Sequence, residues 1–348
     1  MTAEDQMELA RAVALRFGVE DSPAMERVLQ MILTPQEMAL LLATPGRSEA
    51  ISRDVGRTIA DVDASLHDLF DRGIVSISSY EQEQPVWDLP PLGLLMDGIH
   101  FDPRYRRYGD EFYDLWQQVC EAEIVQKAPA GMLRELPVEV ALPPIGSDSR
   151  VMDIESAEAI VRRARRIAVQ NCPCRVRERR CDTPLEMCMS FNGFADYILY
   201  RKVGREISVE EALAILQHAE ELGLVHQTSN TDHPDVICNC CTCCCVVLRA
   251  GAVHGFPVSS AVSRFQPLVD ERRCRNCLTC VRHCHFGAMI ERDGKHAFVA
   301  DKCLGCGQCV RVCPEGAVRL VEVQPQSHIQ RGPGFNLTLS VCSKCSAP

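Results

Sequence analysis

The first 90 residues follow a helical pattern of apolar positions that ends in two alternating segments. Met7, Ala10, Ala14 and Phe17 recur at the spacing of one helix face, and Gly18 marks the end of that helix. Similar patterns predict helices over residues 23–33, 35–43, 48–55 and 59–72, and strands over residues 74–78 and 85–89. The front of the chain is therefore predicted to be helical and to end in a β-hairpin.

Three helices followed by a hairpin is the element order of winged helix-turn-helix domains, and residues 34–90 resemble that family in pattern. The segment that corresponds to its recognition helix, residues 58–72, carries the carboxylates Asp61, Asp63, Asp68 and Asp71. DNA phosphates repel carboxylates. Residues 1–90 also hold 7 Lys and Arg against 16 Asp and Glu. We therefore expect this domain to dock onto protein, with a homodimer as one option, and not to bind DNA.

The next part of the chain is predicted in two pieces. Residues 91–150 are rich in proline and glycine, and they predict a connector with one helix over residues 109–122. After it, apolar positions predict a helix over residues 153–170. Ser208 and Glu211 form a capping-box signature before a further helix, and residues 224–226 are typical of a short strand.

The composition restricts the compartment and the use of the cysteines. The apolar stretches fall far short of the roughly 20 residues that cross a bilayer. The first residues lack the basic and apolar parts of a secretory signal. We therefore expect a cytoplasmic protein without membrane insertion. The chain has 21 cysteines, and in such a protein thiolates that hold metal explain them better than disulfides do.

Two cysteine runs near the carboxy terminus carry the most specific signal. They are Cys274, Cys277, Cys280 and Cys284, and then Cys303, Cys306, Cys309 and Cys313, each spaced C-x2-C-x2-C-x3-C. A loop of this spacing lets three sulfurs converge on one iron–sulfur cluster, so that the fourth thiolate comes from elsewhere. Zinc sites also use C-x2-C pairs, but two runs of this form fit a zinc ribbon poorly.

These runs resemble the two-cluster bacterial 4Fe-4S ferredoxins. The resemblance implies that the last cysteine of each run binds the other cluster. The implied ligand sets are Cys274, Cys277, Cys280 and Cys313 for one cluster, and Cys303, Cys306, Cys309 and Cys284 for the other. It also implies a ferredoxin-like βαββαβ module. His285 stands where the family has proline, which is expected to loosen the turn and alter hydrogen bonding near the sulfurs.

A second group of cysteines has spacings unlike those of a ferredoxin. Its members are Cys172, Cys174, Cys181 and Cys188 in one stretch, and Cys238, Cys240, Cys241, Cys243, Cys244 and Cys245 in another. Adjacent cytoplasmic thiols oxidise or bind metal unless they are occupied. We predict a further iron–sulfur cluster with ligands from both stretches; zinc, a reactive dithiol pair and inert buried cysteines are the alternatives. Nearby arginines, Arg175 and Arg177 among them, would stabilise the reduced form of an anionic cluster.

The sequence as a whole predicts an α+β protein in five parts. These are a winged-helix-like domain (1–90), a connector (91–150), a mixed cysteine-rich middle domain (151–262), a dicluster ferredoxin module (263–323) and a tail (324–348). With the segments Cys-Pro-Cys-Arg at 172–175 and Cys-Asn-Cys-Cys at 238–241, the chain is similar to cytoplasmic iron–sulfur proteins of anaerobic bacteria. That resemblance implies electron transfer, and we expect the chain to deliver electrons to a partner redox enzyme.

Two other functions are compatible with the sequence. One is a redox- or iron-responsive regulator, and the other is a reductase that acts on a small substrate at the middle cysteines. The sequence has no glycine-rich phosphate loop and no flavin or nicotinamide fingerprint, so an electron-transfer component is favoured over a stand-alone enzyme. The tail contains Cys342 and Cys345, a pair that could bind metal or stay a dithiol.

Overall fold

The computed structural model describes residues 2–81, 84–127, 131–142, 154–252 and 260–333. Its amino-terminal region is helical and ends in an antiparallel hairpin. The elements are α1 (Ala3–Arg16), α2 (Pro23–Ile32), α3 (Pro35–Leu42), α4 (Ser48–Val55), α5 (Ile59–Asp71), β1 (Ser76–Glu81) and β2 (Gln84–Asp88). The predicted helices and hairpin are confirmed to within a few residues.

Side chains at the helix starts explain these boundaries. The backbone N–H of Glu37 donates to Thr34 Oγ1 at 3.2 Å, and the backbone N–H of Thr34 donates to Glu37 Oε2 at 2.6 Å. This reciprocal capping satisfies N–H groups that a helix start leaves unpaired. Pro35 takes the first helical position, where its missing N–H removes no hydrogen bond.

The amino-terminal core also takes in residues beyond the hairpin. Helices α6 (Leu92–Phe101) and α7 (Gly109–Val119) pack in the same hydrophobic core as α1 to α5, and a π-helical turn (Cys120–Val125) follows. Trp87 and Trp116 are both fully buried there. The sequence indicated α7 and missed α6, and the aromatic residues of this segment are core residues.

A six-stranded antiparallel sheet forms the centre of the chain. Its strands are β3 (Leu133–Leu136), β4 (Ile167–Asn171), β5 (Glu186–Phe191), β6 (Gly204–Glu206), β7 (Val225–Ser229) and β9 (Val236–Cys240), with β8 (Thr231–His233) outside it. The spatial order is β3-β7-β9-β5-β4-β6. Helices α8 (Ala157–Arg163) and α11 (Val209–Glu221) pack on one face, and α10 (Asn192–Tyr200) packs on the other. Two short helices, α9 (Pro173–Glu178) and α12 (Val246–Ala252), carry or flank the cysteine stretches.

The helix predicted over residues 153–170 is wrong in its second half. Helix α8 ends at Arg163, Ala164 has extended backbone with φ −66° and ψ 133°, and Ile167 begins β4. Strand β4 lies between β5 and β6, with Val169 buried on one face and Ala168 on the other. Burial on both faces removes the alternation that distinguishes a strand from a helix in the sequence.

The carboxy-terminal region follows the order strand, helix, strand, strand, helix, strand. Its elements are β10 (Phe265–Val269), α13 (Thr279–Arg282), β11 (Met289–Arg292), β12 (Lys295–Phe298), α14 (Gln308–Arg311) and β13 (Val318–Glu322). Strand β10 pairs with β13, and β11 pairs with β12, both antiparallel. A last strand, β14 (Gln330–Pro333), pairs in parallel with β8. Among the described helices, none has the length and apolar composition needed to cross a membrane.

Candidate metal centres

The two carboxy-terminal cysteine runs share one backbone conformation. Asn276 and Leu278 in the first run have φ of 52° and 58°, and Gly305 and Gly307 at the matching positions of the second run have φ of 70° and 76°. Each run then enters a short helix, α13 or α14. The left-handed conformation costs glycine little, whereas other residues need their surroundings to hold it. The two runs therefore repeat in backbone conformation as well as in cysteine spacing.

One cavity in this region is lined by cysteines from both runs. Cys274, Cys277 and Cys280 of the first run line it together with Cys313 of the second run. Val269 of β10 and Val318 of β13 line the remainder together with Ala317 and polar residues such as Asn276 and His296. The structure thus brings together the four cysteines that the ferredoxin resemblance assigns to one cluster.

The remaining four cysteines of the two runs form a second group. Burial raises the pKa of Cys303 to about 11 and of Cys309 to about 12, and the nearby charge of Cys284 acts in the same direction on both. Burial and Cys284 also raise the pKa of Cys306. Cys284 of the first run therefore lies among the cysteines of the second. Free thiols here stay protonated at neutral pH, and binding of a metal would release their protons.

Backbone N–H groups donate to the sulfurs that cross between the runs. The N–H groups of Ala288 and Met289 lie 3.2 and 3.3 Å from Cys284 Sγ, and the N–H of Ala317 lies 3.3 Å from Cys313 Sγ. Such donors stabilise thiolates and tune the potential of a bound cluster. All eight cysteines are free thiols. Two groups of four thiols with N–H donors at their sulfurs fit two 4Fe-4S clusters.

His285, which departs from the ferredoxin pattern, contacts the middle of the chain. Its Nε2 donates to the carbonyl oxygen of Gly223 at 2.7 Å. Gln308 Nε2 donates to the carbonyl oxygen of Leu224 at 2.8 Å. These hydrogen bonds join the dicluster region to the turn before β7. The position where ferredoxins have proline therefore serves an interface, while the expected loosening of the turn stays a prediction.

Six of the middle cysteines form a closed series of neighbouring sulfurs, called here the six-cysteine ring. The order around the ring is Cys172, Cys174, Cys245, Cys240, Cys238, Cys188 and back to Cys172. Four of them are buried and two, Cys174 and Cys238, are half-buried. Strands β5 and β9 are neighbours in the sheet, which explains why the two sequence stretches meet.

The other four middle cysteines, Cys181, Cys241, Cys243 and Cys244, form a separate group, called here the four-cysteine group. Their Sγ atoms all lie within 4.8 Å of one another. A hydrogen bond from Cys244 and the nearby guanidinium of Arg175 lower the pKa of Cys241 to about 4, against the opposing effect of burial. A thiolate at Cys241 is therefore favoured at neutral pH, as metal binding requires.

Two of the arginines near the first stretch lie among the cysteines. Arg175 is buried, and its Nη2 donates to the carbonyl oxygen of Asn239 at 2.6 Å. Burial alone would lower the pKa of Arg175, but the nearby charges of Cys172, Cys241 and Cys188 raise it. Arg177 is buried beside Cys174. Four others pair with carboxylates: Arg162 with Glu158, Arg165 and Arg166 with Asp196, and Arg179 with Asp114.

The sequence missed a polar network behind the six-cysteine ring. Gln227 Oε1 accepts hydrogen bonds from Cys240 Sγ at 3.7 Å and Cys245 Sγ at 3.8 Å, and Gln227 Nε2 donates to Glu135 Oε1 at 2.9 Å. Ser260 Oγ also donates to Glu135, and burial raises the pKa of that carboxyl to about 7. Residues 226–229 are polar at every position and yet buried, so polarity alone would have placed them on the surface.

The six-cysteine ring and the second ferredoxin group share one hydrophobic cluster. Cys240 and Cys245 belong to it together with Leu304, and Phe286 and Cys306 pack against it. The two groups of sulfurs are therefore neighbours inside the protein. Cys342 and Cys345 of the tail lie outside the described residues.

Comparison with known proteins identifies the carboxy-terminal region. Residues 273–318 match the 4Fe-4S dicluster domain family. Similar proteins include the indolepyruvate oxidoreductase subunit IorA of Methanothermobacter thermautotrophicus, 36% identical over 73 residues, which are 21% of this chain and 10% of that protein. The iron-sulfur protein of Rhodospirillum rubrum is 30% identical over 131 residues, covering 34% of this chain and 64% of its own. The pyruvate synthase subunit PorD of Thermotoga maritima is 33% identical over 63 residues, covering 18% and 61%.

These similarities cover only part of this chain and only part of each relative. The chain covers only a tenth of the length of the indolepyruvate oxidoreductase subunits and less than two thirds of the other two relatives named. No solved structure shows a significant match to the chain. The comparisons therefore establish a 4Fe-4S dicluster domain near the carboxy terminus and a distant relation to iron–sulfur subunits of oxidoreductases.

Proposed function

We propose that this chain is an electron-transfer protein that delivers electrons to a partner redox enzyme. The single observation that carries the proposal is the 4Fe-4S dicluster domain at residues 273–318. One cluster would be held by Cys274, Cys277, Cys280 and Cys313, and the other by Cys284, Cys303, Cys306 and Cys309. Bound 4Fe-4S clusters supply reversible one-electron transfer. The chain's own residues hold them and donate hydrogen bonds to their ligands.

The two ferredoxin sites differ in exposure, which supports a directional path for electrons through the chain. Cys277 is exposed, whereas Cys306 packs against the hydrophobic cluster that contains Leu304. An exposed site suits contact with another redox protein, because electrons cross an interface best where the cluster lies close to it. The covered site adjoins the middle cysteines.

We assign the six-cysteine ring as the third site of this proposal, an additional iron–sulfur or other metal centre. Four of its six cysteines are buried, and Arg175 places a buried positive charge beside two of these, Cys172 and Cys188. A guanidinium there would favour the reduced, more negative form of a thiolate-bound cluster. For the four buried members, burial also disfavours the alternative in which these cysteines reduce a small substrate, since a substrate must reach the reacting sulfur.

The named relatives support the choice of partner class. Two of them are subunits of larger oxidoreductases by name, an indolepyruvate oxidoreductase and a pyruvate synthase. Those matches cover 21% and 18% of this chain, in which the dicluster domain is attached to a helical region and a central sheet. We propose that these regions dock the chain onto its partner enzyme or onto a second copy.

The amino-terminal region has the element order of a winged helix, but its surface supports the protein-docking role over the regulator alternative. Asp61 and Asp68 on α5 are exposed, and Asp63 and Asp71 are half-buried. The carboxylates therefore do not all face inward, and an exposed acidic helix repels a phosphate backbone.

The test is a reductive titration of the full-length protein, purified without air and followed by electron paramagnetic resonance. The proposal predicts about two electrons taken up by the two ferredoxin clusters, with signals of reduced 4Fe-4S centres. Cys313→Ser should alter the signal of the cluster held by the first run, although it lies in the second run. A protein that takes up no electrons, or one that binds its own promoter tightly in a salt-dependent manner, would overturn the proposal.

A further inference from the structure

The ten middle cysteines fall into two groups that differ in the arrangement of their sulfurs and in burial. The sulfurs of the ring interact most strongly with one another, whereas the sulfurs of the four-cysteine group all lie within 4.8 Å of one another. Cys181 lies in the segment after α9, and the other three members lie in the turn between β9 and α12. Cys181, Cys241 and Cys243 are half-buried, so this group lies nearer the surface than the ring does.

Three sulfur–sulfur distances in the four-cysteine group match those of a tetrahedron around a single ion. Cys181 Sγ lies 3.8 Å from Cys241 Sγ and 3.7 Å from Cys244 Sγ, and Cys243 Sγ lies 3.8 Å from Cys244 Sγ. A metal–thiolate bond of about 2.3 Å in tetrahedral geometry places two sulfurs about 3.8 Å apart.

Two other arrangements fit these distances poorly. In a four-iron cluster each thiolate binds a different iron atom, so the cysteine sulfurs lie well beyond contact with one another. A disulfide joins its sulfurs at about 2.05 Å, and all four cysteines are free thiols. The geometry therefore favours one ion shared by four thiolates.

Hydrogen-bond donors around the four sulfurs match what a tetrathiolate site requires. The backbone N–H of Thr183 donates to Cys181 Sγ, and the backbone N–H of Arg180 donates to Cys244 Sγ. The guanidinium of Arg175 lies beside the group as well. Four thiolates around a divalent ion keep a net negative charge, and such donors offset it and orient the ligands.

We propose that Cys181, Cys241, Cys243 and Cys244 bind one tetrahedral, thiolate-preferring divalent ion, either zinc or a single iron, as a site separate from every iron–sulfur cluster of the chain. This inference rests on the proposed metal binding by the middle cysteines and divides it into two sites. The ion joins the segment after α9 to the turn before α12. Because α9 carries Cys174 and that turn ends at Cys245, the same ion holds two members of the six-cysteine ring in place.

The test uses the full-length protein, purified without air from cells supplied with zinc and iron. Metal and sulfide analysis should find about one ion per chain in excess of the sulfide-containing clusters. X-ray absorption at the edge of that metal should show four sulfur ligands at about 2.3 Å and no neighbouring metal atom. The zinc and iron edges distinguish the two metals, and either result supports the site.

Two variants assign the ion to these residues. Cys243→Ser and Cys181→Ala should each lose about one ion per chain while sulfide content and the cluster resonance signals stay unchanged. Cys120→Ala, which removes a buried thiol outside both groups, should keep the ion. If the variants fail to fold, X-ray absorption of the wild-type protein decides by itself.

The outcomes separate this inference from the proposed function. A loss of sulfide and of a cluster signal in Cys243→Ser would make these residues cluster ligands and overturn the inference. A wild-type protein with no ion beyond its clusters would overturn it as well. If the single ion is present and the ferredoxin signals are missing, the inference stands and the proposed electron transfer fails.

Discussion

At the scale of single residues, Arg175 links the two middle cysteine groups. It is buried, its Nη2 donates to the carbonyl oxygen of Asn239 at 2.6 Å, and its Nη1 donates to that of Pro184 at 3.2 Å. Its charge lies beside thiols of both groups, Cys172 and Cys241. A buried guanidinium is costly unless it is paired in this way, so its removal leaves two carbonyl groups and the neighbouring thiolates without their partner.

Arg175→Met should therefore lower the free energy of unfolding by about 3 kcal/mol, because charge-assisted hydrogen bonds are lost while the apolar stem is kept. The measurement is a urea titration under anaerobic conditions. Arg162→Met is the matched control: Arg162 makes an exposed i,i+4 pair with Glu158, and its loss should change the unfolding free energy by less than about 0.5 kcal/mol. Equal effects of the two substitutions would contradict a special role for Arg175.

The sequence predicts the ferredoxin sites in more detail than the sites of the middle cysteines. The ferredoxin cysteines were indicated by their spacing, because a loop that wraps a cluster imposes a short, fixed pattern. The middle cysteines were recognised as a group, but their division was not predictable. Adjacent residues such as Cys244 and Cys245 belong to different groups, and only the fold decides to which side each sulfur points. The network around Gln227 gave no signal in the sequence.

At the scale of elements, Gly307 precedes α14 and lies against a neighbouring segment. Its φ is 76°, and a Cβ built there would lie 2.6 Å from Ala141 Cβ in the short helical turn Glu139–Ala141. The turn between β11 and β12 offers a comparison: Gly294 has φ of 75° and open space where a Cβ would stand.

Gly307→Ala should therefore lower the free energy of unfolding by about 3 kcal/mol, since left-handed strain and a clash with backbone-linked atoms add together. Gly294→Ala shares only the strain and should cost about 1 kcal/mol. Thermal unfolding of both variants without air measures the difference. If the two variants had equal stability, the close packing of Gly307 against residues 139–141 would be contradicted.

The elements themselves were predictable where local chemistry sets them. Caps such as Thr34 and the alternating hairpin strands gave the amino-terminal elements. Strand β4 and helix α6 were missed, since a strand buried on both faces has no alternation and Leu92–Phe101 is apolar on nearly every side. The order of the sheet depends on long-range pairing, to which no local pattern points. The boundaries between the five predicted parts remain predictions.

At the scale of the whole molecule, the dicluster region is attached to the central sheet by a few specific contacts. His285 and Gln308 donate to the carbonyl oxygens of Gly223 and Leu224, and the backbone N–H of Val138 donates to the carbonyl oxygen of Cys306 at 3.1 Å. These contacts keep the covered ferredoxin site next to the six-cysteine ring.

His285→Ala should lower the free energy that holds the dicluster region to the central sheet by about 1 kcal/mol, the typical contribution of one hydrogen bond. Hydrogen exchange of the amides of residues 223 and 224 should become faster, because opening of the interface exposes that turn. His283→Ala is the control: His283 follows α13, is exposed, and its Nδ1 donates to the carbonyl oxygen of Thr279 in that helix. Unchanged exchange in His285→Ala, or the same acceleration in both variants, would show that His285 does not hold the interface.

The central claim is that eight cysteines of the carboxy-terminal region hold two 4Fe-4S clusters, and native mass spectrometry of the full-length protein prepared without air tests it most directly. The account predicts a mass that includes about eight iron atoms and eight sulfides for the dicluster region. Replacing Cys277 and Cys306 together by alanine should remove most of that mass. A chain that carries zinc and no sulfide would contradict the account.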